Sequence, residues 1–357
     1  MAASLIDERI HQFYILTIAV VDFSVGPTGS RAASAAALNI GAAKMNQHSN
    51  QRGKASAGLA LWAVVAVFTL CTLLTPVLPG ALADLTFMVP LIVFGAVHGT
   101  KRYGWRAVVA FAVITLVVSN IMENLSIITG FPFGHYHYTD GLGAKLFLVP
   151  LLIGPAYIAV GYLSWVMGTV LIGPVRRGSR LFNTVAVPAV ASFAMVFWDI
   201  CMDPGMATVQ QNWIWEEGGG FFGVPLVNYL GWFLTVYLFF QLFALFLRHR
   251  GEATVDVIPL PKSYYYQAIA MYGAVALKYP TRYLADFVSG GSESVMDAAG
   301  HTWWTGDINE TAALMSIVTM FFVAVLAALQ LAQRRPTLPR TDQPDTPALS
   351  AAGQRAA

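Results

Sequence analysis

From about residue 57 the chain alternates long apolar runs with short polar or glycine-rich breaks. Each run is close to the roughly 20 residues that a helix needs to cross a bilayer. Eight runs are legible, at roughly 57–77, 84–98, 106–126, 146–172, 182–202, 225–247, 264–286 and 311–332. The seventh is the most broken, because Lys278 and Arg282 fall inside it. The pattern predicts an all-α protein, a polytopic transmembrane helical bundle of about eight spans. Residues 23–56 are rich in Ser, Ala, Gly and Asn, so 1–56 is expected to be a flexible cytoplasmic leader. A transmembrane catalytic domain would then occupy 57–333. The proline-containing stretch 334–357 would be a disordered cytoplasmic tail.

Composition agrees with the pattern. Of 357 residues, 56% are hydrophobic and 11% charged, where soluble domains carry about 25% charged residues. No sizeable soluble domain is expected. The net charge of +2 is small, and no nucleic-acid partner is expected. Its distribution is the informative part. Lys101, Arg102 and Arg106 follow the second run, and Arg176, Arg177 and Arg180 the fourth. Arg248, Arg250 and Lys262 follow the sixth, and Arg334 and Arg335 the eighth. Between them, residues 127–145 hold only Lys145, while 203–224 and 287–310 hold no Lys or Arg. Cytoplasmic loops carry the Lys/Arg excess. Both ends are therefore expected in the cytoplasm, the three polar loops outside, and the protein in the cytoplasmic membrane. Cys71 and Cys201 are isolated, so neither a disulfide framework nor a zinc site is suggested. Residues 10–21 are apolar but end at Asp22 without a clean cleavage site, so no cleavable signal peptide is expected.

Three carboxyls interrupt this apolar background. Glu123 lies three residues after Asn120, and Asp199 and Asp203 are spaced i, i+4 ahead of Pro204, which is expected to end the helix. Residues three or four apart share a helix face, so Asn120 is expected to hold Glu123 and the two aspartates to stack one turn apart. A centred carboxylate costs roughly 2.5–3.5 kcal/mol on insertion scales, and such residues usually face the bundle interior. One reading pairs these groups with Lys278 or Arg282, or uses them as caps. The other gathers Glu123, Asp199 and Asp203 around one apolar pocket, where desolvation keeps an acid neutral. Asp199 lies one turn inside Asp203, beside Phe197 and Trp198, and is the expected proton donor. Asp203 would then orient the acid or a water, and Glu123 is the rival donor.

The loops add aromatic and polar groups. "GFPFGHYHYTDG" supplies His135, Tyr136, His137 and Tyr138, and "NWIWEEGGGFFGVPLVNYLGW" supplies Trp213, Trp215, Asn228 and Trp232. With Trp198 and Asn120 these are the candidate substrate-binding residues. Trp and Tyr also form interfacial belts. As a wall around a pocket, however, their π-faces would attract a cation. His135 and His137 share one side of an extended loop, but no third ligand at metal-like spacing accompanies them. No metal is expected. The two segments share a layout: an acid-bearing helix running outward, a Phe-Gly loop, then a Val-Pro start to a returning helix. The two hairpins are expected to line one cavity.

Three motifs in order carry a resemblance: Glu-x6-Gly-Phe-Pro-Phe-Gly-x-Tyr-x-Tyr at 123–138, Asp-x3-Asp-Pro at 199–204, and Trp-x-Trp…Gly-x-Phe-x-Gly-Val-Pro-x2-Asn-x2-Gly-Trp at 213–232. With them, the core from about 90 to 250 resembles the carotenoid hydratase family, the bisanhydrobacterioruberin or γ-carotene 1′,2′-hydratases. The resemblance implies a hydro-lyase of carotenoid biosynthesis. Such an enzyme protonates the terminal C1=C2 bond of a linear carotenoid and captures the tertiary cation with water. It implies no cofactor. Its partners would be the carotenoid, water, membrane lipid and other enzymes of the pathway. A terpenoid or carotenoid cyclase shares the protonation step and would end by deprotonation. A prenyltransferase would want magnesium-binding aspartates with basic residues on a diphosphate, and the Asp199–Asp203 element has no Lys or Arg in its loop. A proton-coupled transporter is the non-enzyme alternative.

Overall fold

A computed structural model of the chain describes residues 58–250 and 260–334. The expected leader lies outside the described residues, as does the tail from 335 onward. Of the first 60 residues only 58–60 are described, and they open a helix. Eight long helices follow: α1 (Gly58–Val77), α2 (Gly80–Tyr103), α3 (Trp105–Thr129), α4 (Ile153–Leu171), α5 (Leu181–Val209), α6 (Leu226–His249), α7 (Lys262–Ser289) and α8 (Thr305–Gln333). Among the described residues, all but α7 are long and apolar enough to cross a membrane. Helix α7 has the length, at 28 residues, but Lys278 and Arg282 keep it polar.

The helix ends follow local chemistry. Gly104, at φ 75°, makes the tight joint between α2 and α3, and its N–H reaches Thr100 O at 2.9 Å. Such a left-handed φ suits a residue without a Cβ. At the opposite end of α3, Gly130 adopts the αL conformation that commonly closes a helix. The α-helical part of α5 ends at Pro204, as expected, but the chain does not leave the helix there. Proline's fixed φ fits a helix, but its missing N–H and the clash of its ring with the carbonyl four residues back break the α-helical ladder. The chain continues as a π-helical turn over Gly205–Val209, closed by Gln210 N–H to Gly205 O at 3.0 Å.

The central element is α4. In its most apolar window 72% of residues are buried, against 22% for α1 and α3. It touches α2, α3, α5, α7 and α8. Without a hydrophobic driving force between helices in lipid, close packing depends on small residues. Gly168 shows this: a Cβ there would stand 2.8 Å from Val187 O of α5.

The loops contain short antiparallel ribbons. Strands β1 (Tyr136–Tyr138) and β4 (Trp213–Trp215) pair so that Tyr136 faces Trp215 and Tyr138 faces Trp213. Strands β2 (Lys145–Leu146) and β3 (Val149–Pro150) form a tight hairpin where the sequence suggested the start of a span. Strands β5 (Ser294–Met296) and β6 (Thr302–Trp304) form the third ribbon. Phe222 meets Trp303 with ring centroids 5.4 Å apart. The loops at 127–145, 203–224 and 287–310 therefore gather at one end of the bundle. That end is away from Lys101, Arg102, Arg248 and His249, which close α2 and α6.

Candidate active site

Beneath the β1–β4 ribbon lies a cavity of about 520 Å³, walled by α2, α3, α4, α5, α6 and one residue of α7. Glu123 and Asp203 line it from α3 and α5. Glu123 falls on the buried stripe Phe111, Thr115, Ser119 and Glu123, which repeats every four residues along α3 and faces the bundle. Its carboxyl accepts hydrogen bonds from three phenols. Tyr136 and Tyr138 donate to Oε2, the latter at 3.0 Å, and Tyr157 of α4 donates to Oε1 at 2.7 Å.

Asp203 is held differently. Trp213 Nε1 donates to Oδ1 at 2.7 Å, and Asn228 Nδ2 donates to Oδ2. The same Asn228 amide reaches Asp199 Oδ2 at 3.4 Å, so one side chain of α6 bridges both aspartates. Asp199 itself is fully enclosed and is not part of the cavity wall. Its Oδ1 has no hydrogen-bond partner among the described residues.

The β1–β4 ribbon joins the two carboxyl sites. Alternation along each strand turns Tyr136, Tyr138, Trp213 and Trp215 inward. Tyr138 thus binds Glu123 and sits against Trp213 at 5.8 Å, while Trp213 binds Asp203. The rest of the wall is aromatic. Tyr157 stacks on Trp232 at 4.5 Å and 6°, Trp198 meets Trp232 edge-on at 6.1 Å, and Phe133 completes that side. Gly231 makes this closure possible, because a Cβ there would lie 2.5 Å from Pro132 O. The two motif-bearing segments do line one cavity, as their shared layout suggested.

Besides Asp199, three expected residues stand outside the cavity wall. Asn120 does not hold Glu123; its carbonyl and Oδ1 accept from Asn124 Nδ2 at 2.7 and 3.2 Å. Helical spacing made the two neighbours, but the carboxyl turns to the buried stripe and its phenols. Asn120 is not in the cavity wall. His137, on the outward side of β1, and His135, just before that strand, are both exposed, with His137 Nδ1 3.4 Å from Glu216. The pairing of the carboxyls with Lys278 or Arg282 is not formed: no described cation is within ion-pair distance of any of the three, and Arg282 is 3.2 Å from Asp286. Lys278 is the one cation of the described wall, 4.6 Å from the Phe87 centroid. Tyr157 was not singled out from the sequence. A tyrosine inside "GPAYIAVGYLSW" carries no signal beyond an ordinary core position.

The fold and cavity define a membrane-embedded helical protein whose loop end closes an acid-bearing aromatic chamber. Residues 83–291 match the family model described as carotenoid biosynthesis protein, and the chain belongs to that family. The matched segment contains every residue of the cavity wall. Bisanhydrobacterioruberin hydratase of Haloarcula japonica is 30% identical over 132 residues, which cover 36% of this chain and 42% of that protein. The chain thus aligns to less than half the length of this curated relative. No solved structure matches.

Proposed function

We propose that the protein is a carotenoid hydratase that adds water across the terminal C1=C2 bond of a linear carotenoid, with Glu123 as proton donor and Asp203 as the base for water. The observation that carries this reading is the difference between the two carboxyls' partners. Trp and Asn N–H groups can only donate, so Asp203 meets them as an acceptor and suits the ionised form. Glu123 meets only hydroxyls, which donate or accept by rotating. It can therefore carry a proton and still satisfy its neighbours. In the proposed step the Glu123 proton adds to C2, the alkene π pair forms the new C–H bond, and C1 becomes a tertiary cation. A water oxygen then bonds to C1 and releases its proton to Asp203. Solvent exchange returns the proton to Glu123, so alkene and water give the tertiary alcohol with no redox change.

The aromatic wall suits the cation, since ring faces attract positive charge. The hydratase name of the Haloarcula relative supports hydration over cyclisation. Asp199, expected from sequence as the donor, is assigned a supporting place behind Asp203 because it does not line the cavity. The test is conversion in a lycopene-producing host. Glu123→Gln keeps shape without an acidic proton and should lower hydroxylated product by about 10²- to 10⁴-fold, the usual contribution of a general acid. Near-normal product from correctly inserted Glu123→Gln protein would remove Glu123 from the mechanism.

A further inference from the structure

The cavity wall reaches the bundle surface along two unlike edges. On one side, wall residues Leu85, Val89 and Ile92 of α2 and Leu152 at the head of α4 are also exposed on the bundle surface. They are apolar and lie inward of Asp84, an exposed wall residue near the outer end of α2, so the surface from Leu85 inward faces hydrocarbon while the outer end of the edge is polar. Deeper along the same pair of helices the gap closes. Tyr162 of α4 packs on α2, where a Cβ at Gly95 or Gly99 would stand 3.5 or 3.1 Å from its ring. The opening is therefore confined to the half of the bundle that holds Glu123 and Asp203. On the loop side the wall ends in Gly141, Gln210 and Asn212, with Asn212 Nδ2 donating to Gln210 Oε1 at 3.0 Å. That rim is polar.

Resting on the hydratase reading for the identity of the reacting group, we infer that the α2–α4 gap is a lateral portal. One end of a long polyisoprenoid enters through it from the bilayer while the remaining chain stays in lipid against Leu85, Val89 and Leu152. Water reaches the carboxyls separately through the polar loop rim. The dimensions agree. A volume of about 520 Å³ equals a sphere roughly 10 Å across, within the range of small-ligand pockets. A linear carotenoid is about as long as the roughly 30 Å hydrocarbon core is thick, so only an end fits. A closed chamber would have to extract the entire apolar chain from lipid, whereas a side opening desolvates nothing but the terminus. The portal thus makes the enzyme selective for chain ends and indifferent to the middle of the polyene.

The test reads binding and not turnover. Full-length protein in lipid nanodiscs is titrated with lycopene, following the shift in polyene absorption. Val89→Trp and Leu152→Trp fill the portal from surface positions and should weaken binding tenfold or more. Val113→Trp on the exposed side of α3, away from the cavity, should stay within twofold of the unsubstituted protein. Unchanged binding by both portal variants, an equal loss in Val113→Trp, or no lycopene binding by the unsubstituted protein would each overturn the portal. Tight, portal-dependent binding without any hydrated product would leave the portal standing and overturn the hydratase reading instead.

Discussion

Replacing Tyr157 with phenylalanine isolates one hydrogen bond to the proposed donor. Tyr157 is the only described partner of Glu123 Oε1, at 2.7 Å. Its ring stacks on Trp232, and phenylalanine preserves that contact. When Glu123 gives up its proton the bond changes from a neutral pair to a charge-assisted one. Neutral hydrogen bonds contribute about 0.5–1.5 kcal/mol and those to charged groups about 1.5–3. Only the difference, about 1–1.5 kcal/mol, lowers the barrier, because interactions equal in ground and transition states do not accelerate a reaction. Tyr157→Phe should therefore reduce kcat about five- to tenfold, with little change in thermal unfolding. Tyr138→Phe should cost less, since Oε2 keeps Tyr136. The assay is initial rate of hydroxylated carotenoid formation in isolated membranes, with protein quantified by blot. An unaltered rate in Tyr157→Phe beside a collapse in Tyr138→Phe would refute this account of how the proton leaves.

Asp203→Asn replaces an acceptor with an amide facing the donors of Trp213 and Asn228, and should lower conversion by about 10²-fold or more, read as product per inserted protein. Asp199→Asn leaves the cavity wall intact and should retain conversion within several-fold; loss of all product there, with Glu123→Gln active, would return the donor role to Asp199. In the outer ribbon, burial works to raise the Asp297 pKa, but hydrogen bonds from Trp303 Nε1 and His301 outweigh it and hold the carboxyl below its ordinary value. A depressed folded value contributes stability above the unfolded pKa of about 3.9 and loses it as pH falls further. Hydrogen-exchange protection across 294–304, taken relative to the intrinsic rate at each pH, should therefore hold from neutrality down to about pH 4 and fall below it; loss of protection already at pH 6 would contradict that sign.

The spans were legible because length and apolarity alone define a crossing helix, and even α7 could be placed despite its charges. The hairpin at 145–150 was not, since a short apolar run reads alike as strand or helix. Within the site, period-two alternation already put His135 and His137 on one side of an extended loop, but only the pairing of "YHY" with "WIW" shows that this side faces outward and the rings inward. Spacing on a helix proposed Asn120 as the partner of Glu123, but spacing names possible neighbours and not the direction a carboxyl turns. Tyr157 comes from a helix 34 residues away in sequence, and no local pattern links it to Glu123. Similarly, Asp199 and Asp203 share a face, yet only Asp203 lines the cavity, and spacing within α5 gives no sign of which one the surrounding helices enclose.

The most direct measurement is the product formed from lycopene in water enriched in heavy oxygen and deuterium, using membranes that contain the full-length protein. The expected product is heavier by one molecule of that water, with the oxygen on the tertiary C1 carbon and one deuterium on C2. A ringed product that lacks the heavy oxygen and differs only by one hydrogen exchanged for deuterium, or lycopene returned unaltered by inserted protein, would contradict the account.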